Sequence, residues 1–147
     1  MTEVGRQVTV MRPEQGQTVR VAGDSYRLLA TGAGTDTSYV LLEAEVPPGG
    51  GPPPHMHARE EEGFYILDGE VDVTAEGKTL RAGAGTYLNM PKTTPHSFRN
   101  NTDRPARMLI LCAPAGIEHM FMEADGEEPE ALAEIAARYG ITILPPA

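Results

Sequence analysis

Apolar residues in this chain come in short runs, and glycine or proline interrupts nearly all of them. Sixteen glycines and thirteen prolines are spread along 147 residues rather than gathered in one tract. That punctuation leaves little room for long helices and predicts a turn-rich β protein, not a disordered one. The candidate strands are Gln7–Val10, Thr18–Val21, Tyr26–Ala30 and Tyr39–Val46, and the first three are separated by Pro-Glu-Gln-Gly and Gly-Asp-Ser turn chemistry. Tyr39–Val46 alternates, with Val40, Leu42, Ala44 and Val46 on one face and Glu43 and Glu45 on the other. Phe64–Leu67 and Glu70–Thr74 flank Asp68-Gly69, which reads as a type I′ hairpin turn, and Glu76-Gly77 marks the next turn. Thr86–Met90, His96–Asn100 and Ala106–Ala113 complete a set of about ten strands, so a sandwich or barrel is expected.

The last third changes character. Leu132, Ile135, Ala136 and Tyr139 have helical spacing, with Pro129 before them and Gly140 after them. A second short helix is expected around Ile117–Glu123, and Ile141–Leu144 should pack back on the barrel as an extended segment. No repeat or boundary divides the chain, so residues 1–147 are read as one domain. A net charge of −9 disfavours nucleic acid and anionic membranes as partners. No apolar run reaches a membrane-spanning length and no signal core opens the chain, which points to the cytoplasm. The single Cys112 lies in an apolar run and reads as a buried structural thiol.

Chemistry concentrates in a few residues. His55 and His57 are two apart, so a strand presents both imidazoles on one face. The segment PPGGGPPP runs straight into them, and its prolines pre-set extended dihedrals. The run Glu60-Glu61-Glu62 follows, and His96 adds an imidazole from a distant segment. Three nitrogens and a carboxylate suit one divalent transition metal: Fe, Mn, Ni, Co, Cu or Zn. Either Glu61 or Glu62 has a usable spacing. The alternation Glu62, Phe64, Ile66 onto one face favours Glu62, leaving Glu60 and Glu61 as a solvated turn. His119 lies outside this group and reads as an exposed helix residue. Most of the methionines read as core filler, with Met90 bordering the site.

Two ordered motifs across residues 49–100 resemble those of the cupin superfamily. The first places Gly49, His55, His57, Glu62 and Gly69 at the family's spacing, and the second places Gly85, Pro91, His96 and Asn100. Thr93 stands where the second motif has glycine, which predicts a different backbone conformation in that turn. The flanking strands and C-terminal helix resemble a small single-domain cupin of the quercetin-dioxygenase-like kind. The resemblance implies an antiparallel jelly-roll barrel with a small helical element at about 117–140. It also implies metal ligation by His55, His57, Glu62 and His96, with Glu62 doubling as general base. It selects Glu62 over Glu61 through the gap to Gly69. Phe64, Ile66, Leu88, Met90 and Phe98 are the expected pocket walls. The implied activity is dioxygenase chemistry on a small aromatic or enol-type substrate. A non-redox isomerase, cyclase or lyase would use the same ligands, and a non-catalytic binding protein would need no turnover. A homodimer is suggested by the resemblance alone.

Overall fold

The computed structural model describes residues 6–145. Its strands are β1 (Thr18–Val21), β2 (Asp24–Ala30), β3 (Val40–Val46), β4 (His55–His57), β5 (Glu61–Asp68), β6 (Glu70–Ala75), β7 (Lys78–Gly83), β8 (Tyr87–Met90), β9 (His96–Arg99), β10 (Ala106–Ala113) and β11 (Ile141–Ile143). Three helices accompany them: α1 (Gly32–Thr35), α2 (Glu118–Ala124) and α3 (Pro129–Arg138). The strands form two antiparallel sheets, β1-β2-β3-β10-β5-β8 and β11-β4-β9-β6-β7, in the jelly-roll arrangement.

Alternation builds the interior. On β3, Val40, Leu42, Ala44 and Val46 are fully buried, and β10 turns Ala106, Met108, Ile110 and Cys112 to the same side. Leu42 lies opposite Ile110, which lies opposite Phe64 on β5, so one apolar row crosses three strands. Phe64 meets Phe98 of the other sheet edge to face, with ring centroids 5.5 Å apart. This contact joins the sheets, and aromatic pairs of this geometry add to simple area burial.

Several expectations need correction. Gln7–Val10 is not a strand: it has no ladder partner among the described residues, and Val8 and Val10 are exposed. Asp68-Gly69 does not close a hairpin, because β5 and β6 belong to different sheets. Gly69 is instead the corner at which the chain changes sheet. Its φ is +76°, and a Cβ there would lie 2.9 Å from the Ala106 backbone. The real two-residue hairpins are Ala22-Gly23 between β1 and β2 and Glu76-Gly77 between β6 and β7. Both residues of each turn have positive φ, as a type I′ turn requires. Strand β7 has no counterpart in the sequence reading, because only Ala82 on it is buried.

The C-terminal elements follow the expected pattern. Pro129 occupies the first turn of α3, and Ile135 and Ala136 face inward. Strand β11 pairs with β4, with Ile141 opposite His57 and Ile143 opposite His55. The end of the chain therefore braces the strand that carries two of the candidate ligands.

Candidate metal centre and cavity

Each member of the cluster has a separate structural cause. Strand β5 lies between β10 and β8, and its alternation turns Glu62, Phe64 and Ile66 inward. Glu61 faces outward and accepts hydrogen bonds from the Asn89 amide (3.0 Å) and the Lys92 backbone N–H (3.0 Å). Strand β4 holds His55 and His57, and its only pairing with β9 sets His55 opposite His96. His55, His57, Glu62 and His96 each offer an atom such that all these atoms lie within 4.8 Å of one another.

The loop before β4 depends on its glycines. A Cβ on Gly51 would meet the Phe98 carbonyl oxygen at 2.0 Å, and one on Gly50 would meet an Asp24 carboxyl oxygen at 2.6 Å. Only glycine allows so close an approach. The Gly49 N–H donates to the Asn100 carbonyl (2.7 Å) and the Asn100 N–H to the Gly50 carbonyl (3.0 Å). This latches the loop to the second motif.

Hydrogen bonding sets the tautomers. The Nδ1 of His55 donates to the Pro53 carbonyl at 2.8 Å, and that of His96 to the Thr94 carbonyl at 2.8 Å. A carbonyl only accepts, so Nδ1 carries the proton, and in the neutral ring Nε2 is left with a free lone pair. His57 Nδ1 faces Glu60 Oε1 at 3.2 Å. Glu60 is buried, not part of a solvated turn as expected. It serves to orient His57, a carboxylate behind an imidazole, as metal-binding histidines commonly have.

The Nε2 atoms and the carboxylate converge. His96 Nε2 stands 2.8 Å from Glu62 Oε1, and His57 Nε2 stands 3.4 Å from the same oxygen without a hydrogen bond to satisfy it. Lone pairs that meet a carboxylate in a buried site require a cation between them, either a proton or a metal ion. The donor set therefore fits a divalent transition metal. Burial alone would raise the Glu62 carboxyl, but the imidazoles of His57 and His96 outweigh it and hold the group well below the ordinary carboxylate range. Burial lowers His55 to about 4, with Glu62 opposing the shift. Burial also acts to lower His57, but Glu60 and Glu62 together raise it to about 9.

The cluster opens into a cavity of about 290 Å³. His55, His57 and Glu62 line one part of it, and Phe98 and Ile110 form a side wall. Helix α2 contributes Met120 and Phe121, with Ile117 just before it. Helix α3 contributes Leu132, Ala133 and Ala136, and β11 contributes Ile141 and Ile143. Of the five expected wall residues, Phe98 lines this cavity. Phe64, Ile66 and Met90 are packed in the core, and Leu88 is half-buried against it. The C-terminal helices supply a large share of the remaining wall. His119 is exposed, as expected for a helix residue facing solvent.

Thr93 corrects a further expectation. Its φ is +67°, so the turn keeps a left-handed conformation even though a β-branched residue occupies it. The Thr93 N–H donates to the His57 carbonyl at 2.8 Å, which helps fix β4. Asp24 and Tyr26, both buried in the cavity wall, were not singled out by sequence reasoning. The only available signal was an aspartate two and four residues before Tyr26 and Leu28, on the inward face of the same strand.

Comparison with known proteins agrees with this architecture. The cupin domain family profile matches residues 42–112, the stretch from β3 to β10 that contains both motifs. Quercetin 2,3-dioxygenase of Bacillus subtilis is 27% identical over 112 residues, covering 76% of this chain and 33% of that protein. Among solved structures, KdgF from Halomonas sp. superposes with a TM-score of 0.69 at 18% identity, covering 77% of this chain and 99% of that one. The polyketide cyclase RemF from Streptomyces resistomycificus gives a TM-score of 0.57 at 27% identity, covering 77% and 79%. The chain thus carries a cupin domain over residues 42–112. It spans about a third of the length of the Bacillus dioxygenase.

Proposed function

We propose that this cupin is a metal-dependent enzyme, and specifically an oxygenase acting on a small aromatic or enol-type substrate. The observation that carries the reading is the pairing of a four-donor cluster with a cavity whose remaining wall is almost entirely apolar. His55, His57 and His96 would hold a divalent transition metal through Nε2, and Glu62 through a carboxylate oxygen. Four protein ligands leave open positions, as a catalytic site requires. A bound metal would supply Lewis acidity toward a substrate oxygen and, if redox-active, electron transfer with dioxygen.

The chain's own residues account for the rest. Pro53 and Thr94 fix two imidazole tautomers, and Glu60 fixes the third ring. Glu62 is kept ionised by its neighbours and lines the cavity, so it is placed to accept the proton of a substrate hydroxyl. Phe98, Ile110, Phe121 and Leu132 exclude water and select a flat apolar body. Likeness to the polyketide cyclase RemF favours a second reading, metal-assisted cyclisation without oxygen uptake, at the same site.

The test is oxygen consumption with flavonols and β-diketones by protein loaded with iron, manganese, nickel, cobalt or copper. Glu62→Gln should lower turnover by roughly 10²–10⁴-fold if the carboxylate is the base. Turnover without oxygen uptake would move the assignment to cyclisation. No turnover across the panel would remove the enzymatic reading.

A further inference from the structure

The cavity has a second polar pole that the metal-site chemistry does not use. Asp24, the first residue of β2, is 1% exposed and lines the cavity beside Tyr26. Its Oδ1 accepts the Gly51 N–H at 3.2 Å, and its Oδ2 accepts the Tyr26 hydroxyl at 3.3 Å. Both contacts are long for hydrogen bonds to a carboxylate. A carboxylate has about four acceptor positions, so two remain unused. Among the described residues Asp24 has no ion-pair partner within 4.0 Å. A buried carboxylate without a cation is costly to maintain. As an acceptor for one N–H and one O–H it is more than the fold needs.

The two poles are linked by a stiff connection. Gly51, which donates to Asp24, and His55 are separated by Pro52, Pro53 and Pro54, and the first two prolines line the cavity. At the rise of an extended proline segment, Gly51 and His55 are at most about 12 Å apart. The apolar side chains of Phe98, Ile110, Phe121 and Ile141 line the same cavity.

We propose that Asp24, backed by Tyr26, is a specificity-determining anchor that hydrogen-bonds a hydroxyl of a flat, largely apolar substrate while another oxygen of the same molecule meets the His55/His57/Glu62/His96 cluster. The proposal rests on the metal-site reading for the identity of that second oxygen. It narrows the substrate class to aromatic compounds bearing a hydroxyl in addition to an enol-type oxygen. A hydroxyl matches the site better than an ammonium. An ammonium brings three donors, and the apolar walls would leave some of them unpaired. Burial also raises the Asp24 carboxyl to about 6, so the group sits near the point at which it can accept or donate.

The test compares two ligands that differ only by one hydroxyl: 3-hydroxyflavone and 3,4′-dihydroxyflavone. Binding to the zinc-loaded protein is followed by ligand fluorescence. Wild type should prefer the dihydroxy compound by about tenfold, the scale of a hydrogen bond to a charged group. Asp24→Asn keeps the side-chain size, and Asp24→Ala removes both acceptors. The preference should fall below about threefold in Asp24→Ala and fall in the same direction in Asp24→Asn. If Asp24→Ala does not fold, Asp24→Asn decides. Equal binding of the two flavonols by wild type would overturn the anchor. So would a lower melting temperature in the Asp24 variants with the preference unchanged, which marks a purely structural acceptor. Failure of either flavonol to bind would overturn the substrate class. A preference that depends on Asp24 but persists in His96→Ala and in metal-free protein would leave the anchor standing and remove the metal reading.

Discussion

The two halves of the candidate metal site are built to different standards of rigidity. Glu62 sits on β5, an eight-residue strand bonded along its length to β10 and flanked by β8. His55 and His57 sit on β4, three residues long, which meets β9 at a single pair and otherwise relies on β11 near the end of the chain. The carboxylate is thus part of the core, whereas two imidazoles sit on a short strand that its flanking loops hold in place. Those loops are secured by Gly50 and Gly51, by the Thr93 N–H on the His57 carbonyl, and by the Leu144 N–H on the Pro54 carbonyl. The fold can therefore survive changes on the β4 side that alter metal affinity. Changes on the β5 side should cost the whole structure.

The largest expected effect breaks the rigid half. Phe64→Ala removes a 1%-exposed ring packed on both Phe98 and the His96 imidazole. It should cost about 3–5 kcal/mol in denaturant unfolding. A loss below about 1 kcal/mol would mean that β5 is not the mechanical base of the site.

On the β4 side, Glu60→Gln should weaken metal binding by about 10–100-fold in chelator competition, the range found for groups that orient a ligand. Secondary structure should be unchanged. Equal affinity in the variant and the wild type would show that Glu60 does not hold His57 in the metal-bound state.

Asp24 gives a pH signature in the wall of the same cavity. Burial raises its folded pKa from 3.8 to about 6, outweighing the hydrogen bonds from Gly51 and Tyr26. The folded state therefore holds this proton more tightly than the unfolded chain does. The stability that the protonated group contributes is fully present below about pH 4 and is lost as pH rises through about 6. Melting curves of wild type and Asp24→Asn between pH 4 and pH 7 should converge differently. Wild type should lose stability relative to the variant as pH rises through this window. Parallel curves would place Asp24 in water.

The smallest effect concerns the turn that holds β4. Thr93 has φ +67°, a conformation that costs a residue bearing a Cβ roughly 1–2 kcal/mol. Thr93→Gly should relieve this strain and stabilise the protein by up to about 1 kcal/mol, after the added freedom of glycine in the unfolded chain is offset. A destabilised variant would show that the Thr93 side chain contributes more than its backbone costs.

The legibility of the sequence divides along the same line. Strong periodic segments such as Val40–Val46, Ala106–Ala113 and Pro129–Tyr139 appear in the structure close to where alternation and helical spacing placed them. The inward position of Glu62 was readable because period-2 alternation carries it along with Phe64 and Ile66. Asp68-Gly69 was misread because a positive-φ glycine serves a sheet-changing corner as well as a hairpin, and only long-range pairing tells them apart. Strand β7 lay hidden because a sheet edge open to water needs no apolar alternation. Glu60 was misassigned because its burial depends on His57 folding over it. The cavity walls were misplaced because α2 and α3 cover the site from well beyond the second motif, and no local pattern encodes that docking.

The central claim is that four side chains on three strands form one metal site. Its most direct measurement is a cobalt(II) titration of metal-free protein, followed by visible absorption and by melting temperature, on wild type and His96→Ala. The account predicts one bound ion per chain, a rise in melting temperature by mass action, and near-complete loss of both signals in His96→Ala. Metal-free protein should retain its β-sheet signal at room temperature, because the apolar core between the sheets does not depend on the site. Cobalt binding of undiminished affinity in a folded His96→Ala protein, or no binding to wild type, would contradict it.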